Sequence, residues 1–186
     1  MKNMHDEKMH TWTEPRLREL YSAAQIAARN AELGRSIAAD YEGRDLTIIG
    51  VLKGSFVFVA DLVRQIPRPL QVDFLVASSY GAEKVSSGRV RLVYDPETRL
   101  EGKHILLVED IIDSGRTLNR LLELLAERQP RSLEICALLD KGLAAGVLSR
   151  KPKFLGFEAP NEFLVGYGLD HAEDFRHLPF VASLAE

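Results

Sequence analysis

From Pro15 to about Tyr41, apolar residues recur at Leu17, Leu20, Tyr21, Ala24, Ala27, Ala28 and Ala31, a helical spacing for which Gly43 is the natural stop. Gly34 interrupts the pattern and is a candidate divide between two helices. Leu46–Leu52 then reads as a short buried strand, and Ser55 is placed to cap a helix from Phe56 to about Ile66, just before Pro67. A second strand is expected over Val72–Ser78. The polar, glycine-containing stretch Ser79–Gly88 that follows is too long for a tight hairpin and reads as a functional loop. Arg89–Val93 alternates as a half-exposed strand does, and Asp95-Pro96 turns the chain. His104–Val108 is a buried strand, and Thr117–Arg128 is a leucine-rich helix with Leu118, Leu121, Leu122 and Leu125 on its inner face. Leu133–Leu139 is a further strand ending in Asp140-Lys141, and a short strand at Phe154–Phe157 leads into a glycine- and aromatic-rich tail. Strands alternating with helices predict an α/β fold with a largely parallel sheet, right-handed crossovers and a site at the carboxyl ends of the strands. No internal repeat or linker divides the chain, so one domain over residues 1–186 is expected, with residues 1–14 frayed.

Composition narrows the function classes. With 46% hydrophobic and 27% charged residues, the 186-residue chain can bury a real core and is not a disordered sequence. Lys and Arg number 24 against 27 Asp and Glu, a net charge of −3, so no basic footprint for a nucleic-acid backbone is present. Phosphorylated small molecules stay open, because local geometry rather than net charge binds them. No apolar run approaches the roughly 20 residues that cross a bilayer, and the N-terminus lacks an apolar signal segment; a soluble, cytoplasmic protein without membrane partners is expected. Cys136, the single cysteine, lies in the apolar run Leu133–Leu139, where it reads as a small hydrophobe rather than a nucleophile; no intrachain disulfide can form.

The densest chemistry lies between a core strand and a helix, where Glu109–Thr117 packs three acids, a Ser, a Gly and a Thr into nine residues. Amides from Ser114 to Thr117 sit where a helix N-terminus favours a phosphate, and Gly115 permits close approach. Glu109 and Asp110 would repel a phosphate and instead suit hydroxyl groups or a metal ion. The lesser alternative is that Asp113 or Ser114 only caps the helix while the acidic pair is solvated, and for Asp113 both roles are compatible.

The run Ile105-Leu-Leu-Val-Glu-Asp-Ile-Ile-Asp-Ser-Gly-Arg-Thr117 resembles the motif by which type I phosphoribosyltransferases bind 5-phosphoribosyl pyrophosphate (PRPP). Gly50–Ser55, Asp73–Gly81, Leu139–Lys141 and Pro160–Asp170 with Phe175-Arg176 narrow the resemblance to the hypoxanthine-guanine phosphoribosyltransferases, from about Glu32 to Val181. The resemblance implies the type I phosphoribosyltransferase fold, with a small hood built from both chain ends. It also implies purine salvage: a 6-oxopurine and PRPP give a purine nucleoside monophosphate and pyrophosphate through an oxocarbenium-like transition state, with Mg²⁺ as cofactor and a homodimer or homotetramer as the assembly.

Site residues follow from the same resemblance. Glu109, Asp110, Ile112, Asp113, Ser114, Gly115, Arg116 and Thr117 would bind PRPP, the last four around its 5′-phosphate, with Asp113 the catalytic carboxylate beside purine N7. Lys141, Phe163, Leu164 and Asp170 would bind the purine. Lys141 would favour 6-oxo over 6-amino bases, because an ammonium has only donors to offer. Lys53, Gly54 and Arg176 would hold pyrophosphate, in a loop that in this family often contains a cis peptide. Ser79 and Tyr80 would belong to a mobile loop that excludes water, and Glu109, Asp110 and Asp170 would be Mg²⁺ ligands.

The chain departs from the family where a further basic residue often follows Lys141: it reads Gly142-Leu-Ala-Ala-Gly146, with Arg150 and Lys151 arriving later. The stretch before Glu32 is longer than bacterial relatives usually carry, and covering the sheet or mediating assembly are both open to it. Two other functions remain open: a sibling preferring xanthine or guanine, and a non-catalytic PRPP sensor on the same fold.

Overall fold

The structure, a computed structural model, describes residues 16–79 and 90–184. Its centre is a six-stranded sheet in the order β4-β3-β2-β5-β6-β7, built from β2 (Leu46–Leu52), β3 (Gln71–Ser79), β4 (Val90–Tyr94), β5 (His104–Ile112), β6 (Ser132–Asp140) and β7 (Phe154–Glu158). Every pairing is parallel except that of the edge strand β4 with β3. Both faces are covered, so the central strands are apolar at nearly every position. One face packs Ile48, Leu106, Val108, Cys136 and Leu138 against α1 (Ala23–Asp40) and α2 (Phe56–Arg64). Their alternates Ile49, Ile105, Leu107, Ile135 and Ala137 meet Leu118, Leu121, Leu122 and Leu125 of α3 (Arg116–Ala126) on the other. Cys136 is wholly buried, and burial pushes its thiol far above the ordinary range, as expected of a packing residue.

A second sheet of three antiparallel strands has the order β1-β9-β8 and joins β1 (Leu17–Tyr21) and β9 (Val181–Leu184) to β8 (Leu164–Val165). It corrects the sequence reading of a helix starting near Pro15. Leu17, Leu20 and Tyr21 are strand residues whose partners, such as Leu184 for Leu17, lie at the far end of the chain, beyond the reach of any local periodicity. The helix begins at Ala23, behind a capping box in which the Ser22 hydroxyl accepts from the Gln25 amide (3.3 Å) and Gln25 Oε1 accepts from the Ser22 amide (2.9 Å). Its inner face is Ile26, Asn30, Leu33, Gly34 and Ile37, while Ala24, Ala27 and Ala28 face solvent; alanine carries too little area to decide which stripe turns inward. Gly34 does not divide the helix. It lies buried within it, where a Cβ would overlap the Gln65 carbonyl at the end of α2.

Ser55 is also corrected: it precedes α2 in a helical conformation without capping it, and its hydroxyl donates to the Val51 carbonyl at 2.6 Å.

Candidate active site

Because β2, β5, β6 and β7 run parallel, the residues that follow them collect at one edge of the sheet. β5 supplies most of the chemistry. It extends to Ile112 rather than ending at Val108, so Glu109 and Asp110 are strand residues in register with β6, held more rigidly than loop residues. Ile112 itself is buried, and its carbonyl accepts from the Lys141 amide at 3.0 Å. That bond sets the end of β6 beside Asp113, and Asp113 Oδ2 stands 3.7 Å from Lys141 Nζ. The Lys141 side chain is only 12% exposed, so this carboxylate is the charge that meets it as it emerges from the sheet.

Gly115 is the residue before α3, at φ +73°, a conformation glycine adopts without strain. The Asn119 amide closes the first helical bond on the Gly115 carbonyl, leaving the amides of Arg116, Thr117 and Leu118 as first-turn donors. Among the described residues no side chain caps this end, so the alternative role of Asp113 or Ser114 as a cap is absent. A Cβ on Gly115 would come within 2.9 Å of Ala144 Cβ and Leu148 Cγ, so the turn is backed by the segment following Lys141. Asn119, which sequence reasoning missed, fastens that segment: Nδ2 donates to the Val147 carbonyl (2.6 Å), and Oδ1 accepts from the Ser149 amide (2.8 Å) and hydroxyl (3.0 Å). The late-arriving Arg150 pairs with Glu134 at 3.1 Å and donates to the Leu133 carbonyl, so it does not replace the basic residue missing after Lys141.

Lys53 and Gly54 follow β2, and the Leu52–Lys53 peptide is cis. Gly54 is confined on two sides: a Cβ there would overlap the Asp110 carboxylate, and the Gly54 carbonyl blocks any Cβ on Gly168. Gly54→Ala is therefore expected to displace Asp110 and to destabilise the fold by about 1–3 kcal/mol, the usual range for overpacking. Chemical denaturation checks it, and unchanged stability would mean that Asp110 has room to move.

Tyr167, on the segment between β8 and Asp170, accepts from Asn30 Nδ2 of α1 (2.8 Å) and donates to Asp61 Oδ2 of α2 (2.7 Å). This pair of bonds, also unforeseen, ties the segment to α1 and α2; its one sequence signal is Asn30, a polar residue in an otherwise apolar helical stripe. Leu164 is buried in β8, whereas Phe163 is 54% exposed with its edge against His171 (centroids 5.1 Å apart). Arg176 donates to the Gly168 carbonyl through Nη1 (2.8 Å), and its Nη2 pairs with Asp170 (2.8 Å) and Glu173 (3.2 Å). Glu173 also pairs with Lys53 at 3.1 Å and was not among the residues expected here. Ser79 ends β3, and Tyr80 lies outside the described residues.

The acidic pair is charged only at a cost. Burial, the neighbouring Asp110 charge and their mutual hydrogen bond push Glu109 well above the carboxylate range. Burial pushes Asp110 to about 6, although its own amide and that of Ile111 and the Arg176 charge pull the other way. Two hard oxygen donors with unfavourable charge are what a Mg²⁺ ion relieves, so the pair fits that ion. The expected trio of Glu109, Asp110 and Asp170 does not form a cage: among the described residues no three His, Cys, Asp or Glu side chains converge on a metal-sized site. Asp170 is instead taken up by Arg176 and by the Glu173 amide (2.9 Å). Mg²⁺ commonly binds through one or two carboxylates with the rest of its shell from water and substrate phosphate, a mode these residues still suit.

The phosphoribosyl transferase domain family matches residues 17–172, which include every site residue described above except Glu173 and Arg176. The chain belongs to the phosphoribosyltransferase family. Within it, the chain is 47% identical over 163 residues to hypoxanthine phosphoribosyltransferase of Salmonella typhimurium, covering 87% of this chain and 91% of that one. It is 46% identical over 172 residues to hypoxanthine-guanine phosphoribosyltransferase of Dictyostelium discoideum, covering 90% and 94%. A crystal structure of a hypoxanthine-guanine phosphoribosyltransferase from Bacillus anthracis superposes with a TM-score of 0.86 at 42% identity, covering 92% of this phosphoribosyltransferase and all of that chain. One of a hypoxanthine phosphoribosyltransferase from Staphylococcus aureus gives 0.85 at 39%, covering 90% and 91%. The mostly parallel sheet between helices is thus the type I phosphoribosyltransferase fold. No described helix is long and apolar enough to cross a membrane.

Proposed function

We propose that this protein transfers the 5-phosphoribosyl group of PRPP to N9 of hypoxanthine or guanine, releasing pyrophosphate and giving IMP or GMP. The observation that carries the reading is the pair Asp113 and Lys141, an acceptor and a donor 3.7 Å apart on adjacent strand ends beside an uncapped helix N-terminus. A 6-oxopurine presents N7 and O6 on one edge. Lys141 donates to O6 while the Asp113 carboxylate takes or shares the proton at N7, which makes N9 the better nucleophile. A 6-aminopurine would set its donor against the ammonium and leave a buried group unpaired, at about 1–3 kcal/mol. Phe163 supplies an exposed ring for the base to stack on, with Leu164 beside it and the Asp170 segment at its edge.

The remaining residues divide PRPP among them. The amides and hydroxyls of Ser114, Gly115, Arg116 and Thr117 take the 5′-phosphate, Glu109 and Asp110 face the ribose hydroxyls, and Lys53, Gly54 and Arg176 receive the pyrophosphate, Arg176 by its fork. Glu109, Asp110 and Asp170 are the residues that would hold Mg²⁺ together with substrate oxygens; when bound, the ion neutralises charge on the leaving pyrophosphate. The same reading carries a cytoplasmic homodimer or homotetramer.

The decisive test incubates the purified protein with PRPP, Mg²⁺ and each of hypoxanthine, guanine and xanthine. IMP and GMP with stoichiometric pyrophosphate are expected; PRPP binding without turnover on any of the three overturns the enzyme reading. Lys141→Ala is expected to lower kcat/KM for hypoxanthine by about 10- to 100-fold, the loss of one buried charge-assisted hydrogen bond. An equal activity of the two proteins would remove Lys141 from the base site.

A further inference from the structure

Lys53 and Arg176 reach the same place from distant parts of the chain, and one side chain stands between them. Glu173 Oε1 accepts from Lys53 Nζ at 3.1 Å, and Oε2 lies 3.2 Å from Arg176 Nη2. The carboxylate thus spans two cations with one oxygen each, as a phosphate oxygen pair would. Its backbone is set for this. Ala172, Glu173 and Phe175 lie at φ +51°, +70° and +72°, values that side-chain-bearing residues rarely adopt. His171 and Asp174 close the turn by reciprocal backbone bonds of 3.2 and 3.0 Å.

We propose that Glu173 is a built-in stand-in for pyrophosphate: it occupies the Lys53–Arg176 clamp in the free protein, competes with the pyrophosphoryl group of PRPP for it, and returns as pyrophosphate leaves. The proposal rests on the assignment of Lys53 and Arg176 to pyrophosphate made above. The two halves of the clamp are unequal. Arg176 is 18% exposed and stays anchored by the Gly168 carbonyl and Asp170, whereas Lys53 and Glu173 are each 66% exposed. The Lys53–Glu173 pair is the half that opens, and as an exposed pair it is weak enough to exchange readily. Glu173 is in this sense a positioning residue: it keeps two like charges together before the substrate arrives and sets how tightly the product is held.

Glu173→Gln keeps the shape and removes the charge. Isothermal titration with pyrophosphate and Mg²⁺ is expected to show binding tightened about three- to tenfold, the range that one exposed pair and one half-exposed pair support. The KM for PRPP is expected to fall by a similar factor while that for hypoxanthine is unchanged, and Glu173→Asp, which restores the charge, is expected to move both values back toward wild type. Pyrophosphate affinity that is unchanged or weaker in Glu173→Gln overturns the proposal, and a lowered melting temperature with weaker binding would show the carboxylate to be only a brace for the turn. The titration does not need turnover: wild-type protein that fails to make IMP or GMP refutes the enzyme reading, whereas an active wild type with an indifferent Glu173→Gln refutes this inference alone.

Discussion

Asp113→Asn is expected to lower kcat for IMP formation by about 10²- to 10⁴-fold, the span that a positioned proton acceptor contributes. The fold should barely notice. The Asp113 side chain is 59% exposed, and its pair with Lys141 at 3.7 Å is long. A pair of that kind is worth about 1 kcal/mol at most, and the amide has nearly the same shape. The melting temperature and the KM for PRPP are accordingly expected to stay close to wild type, since the 5′-phosphate is assigned to amides beyond Asp113. Steady-state kinetics with hypoxanthine, alongside a thermal melt, separates the possibilities: a kcat within tenfold of wild type would show that solvent rather than Asp113 accepts the N7 proton.

Asp110→Asn is expected to do the reverse to stability, raising it while abolishing most activity. In the free protein the Asp110 carboxyl is pushed up to about 6 from an ordinary 3.8. Below pH ~4 it is protonated in both folded and unfolded chains. Between about 4 and 6 the folded chain holds a proton that the unfolded chain has lost, so stability falls as pH rises across that window, and above it the penalty is fully present. At 1.36 kcal/mol per pH unit the shift amounts to about 3 kcal/mol as an upper bound. Asparagine removes this penalty and keeps an oxygen for the Ile111 amide, which now donates to Asp110 Oδ1 at 2.9 Å. Thermal melts from pH 4 to 8 are expected to show a gain for the variant that grows with pH and levels off above about 6. A variant less stable than wild type at pH 8 would show that the carboxylate is stabilised in the free protein.

The α/β framework was legible because each central strand buries both faces, so Leu46–Leu52, His104–Val108 and Leu133–Leu139 are apolar almost without interruption. The Glu109–Thr117 segment was legible for the opposite reason, since such polarity directly after a core strand has little structural use. What stayed hidden depends on residues far apart in the chain. β1 is a strand because β9 lies alongside it, Glu173 meets Lys53 across 120 positions, and Tyr167 meets Asn30 across 137. The end of β5 was hidden by composition: Glu109 and Asp110 look like loop residues, and only pairing with Ala137 and its neighbours in β6 keeps them in the sheet. Ser55 looked like a helix cap because its type fits, yet the Val51 carbonyl, one turn back, claims its hydroxyl.

The pairing of β1 with β9 in the β1-β9-β8 sheet also orders events during synthesis. Arg18 and Ser183, hydrogen-bonded across that sheet at 3.3 Å, are separated by 165 positions, so β1 has no partner until β9 has left the ribosome. The parallel strands bearing Asp113 and Lys141 can assemble earlier, from shorter loops. Asp113, Lys141 and the turn assigned to the 5′-phosphate would then be in place before the platform that carries Phe163, and loss of β1 or β9 after folding would unlatch that platform while leaving them standing.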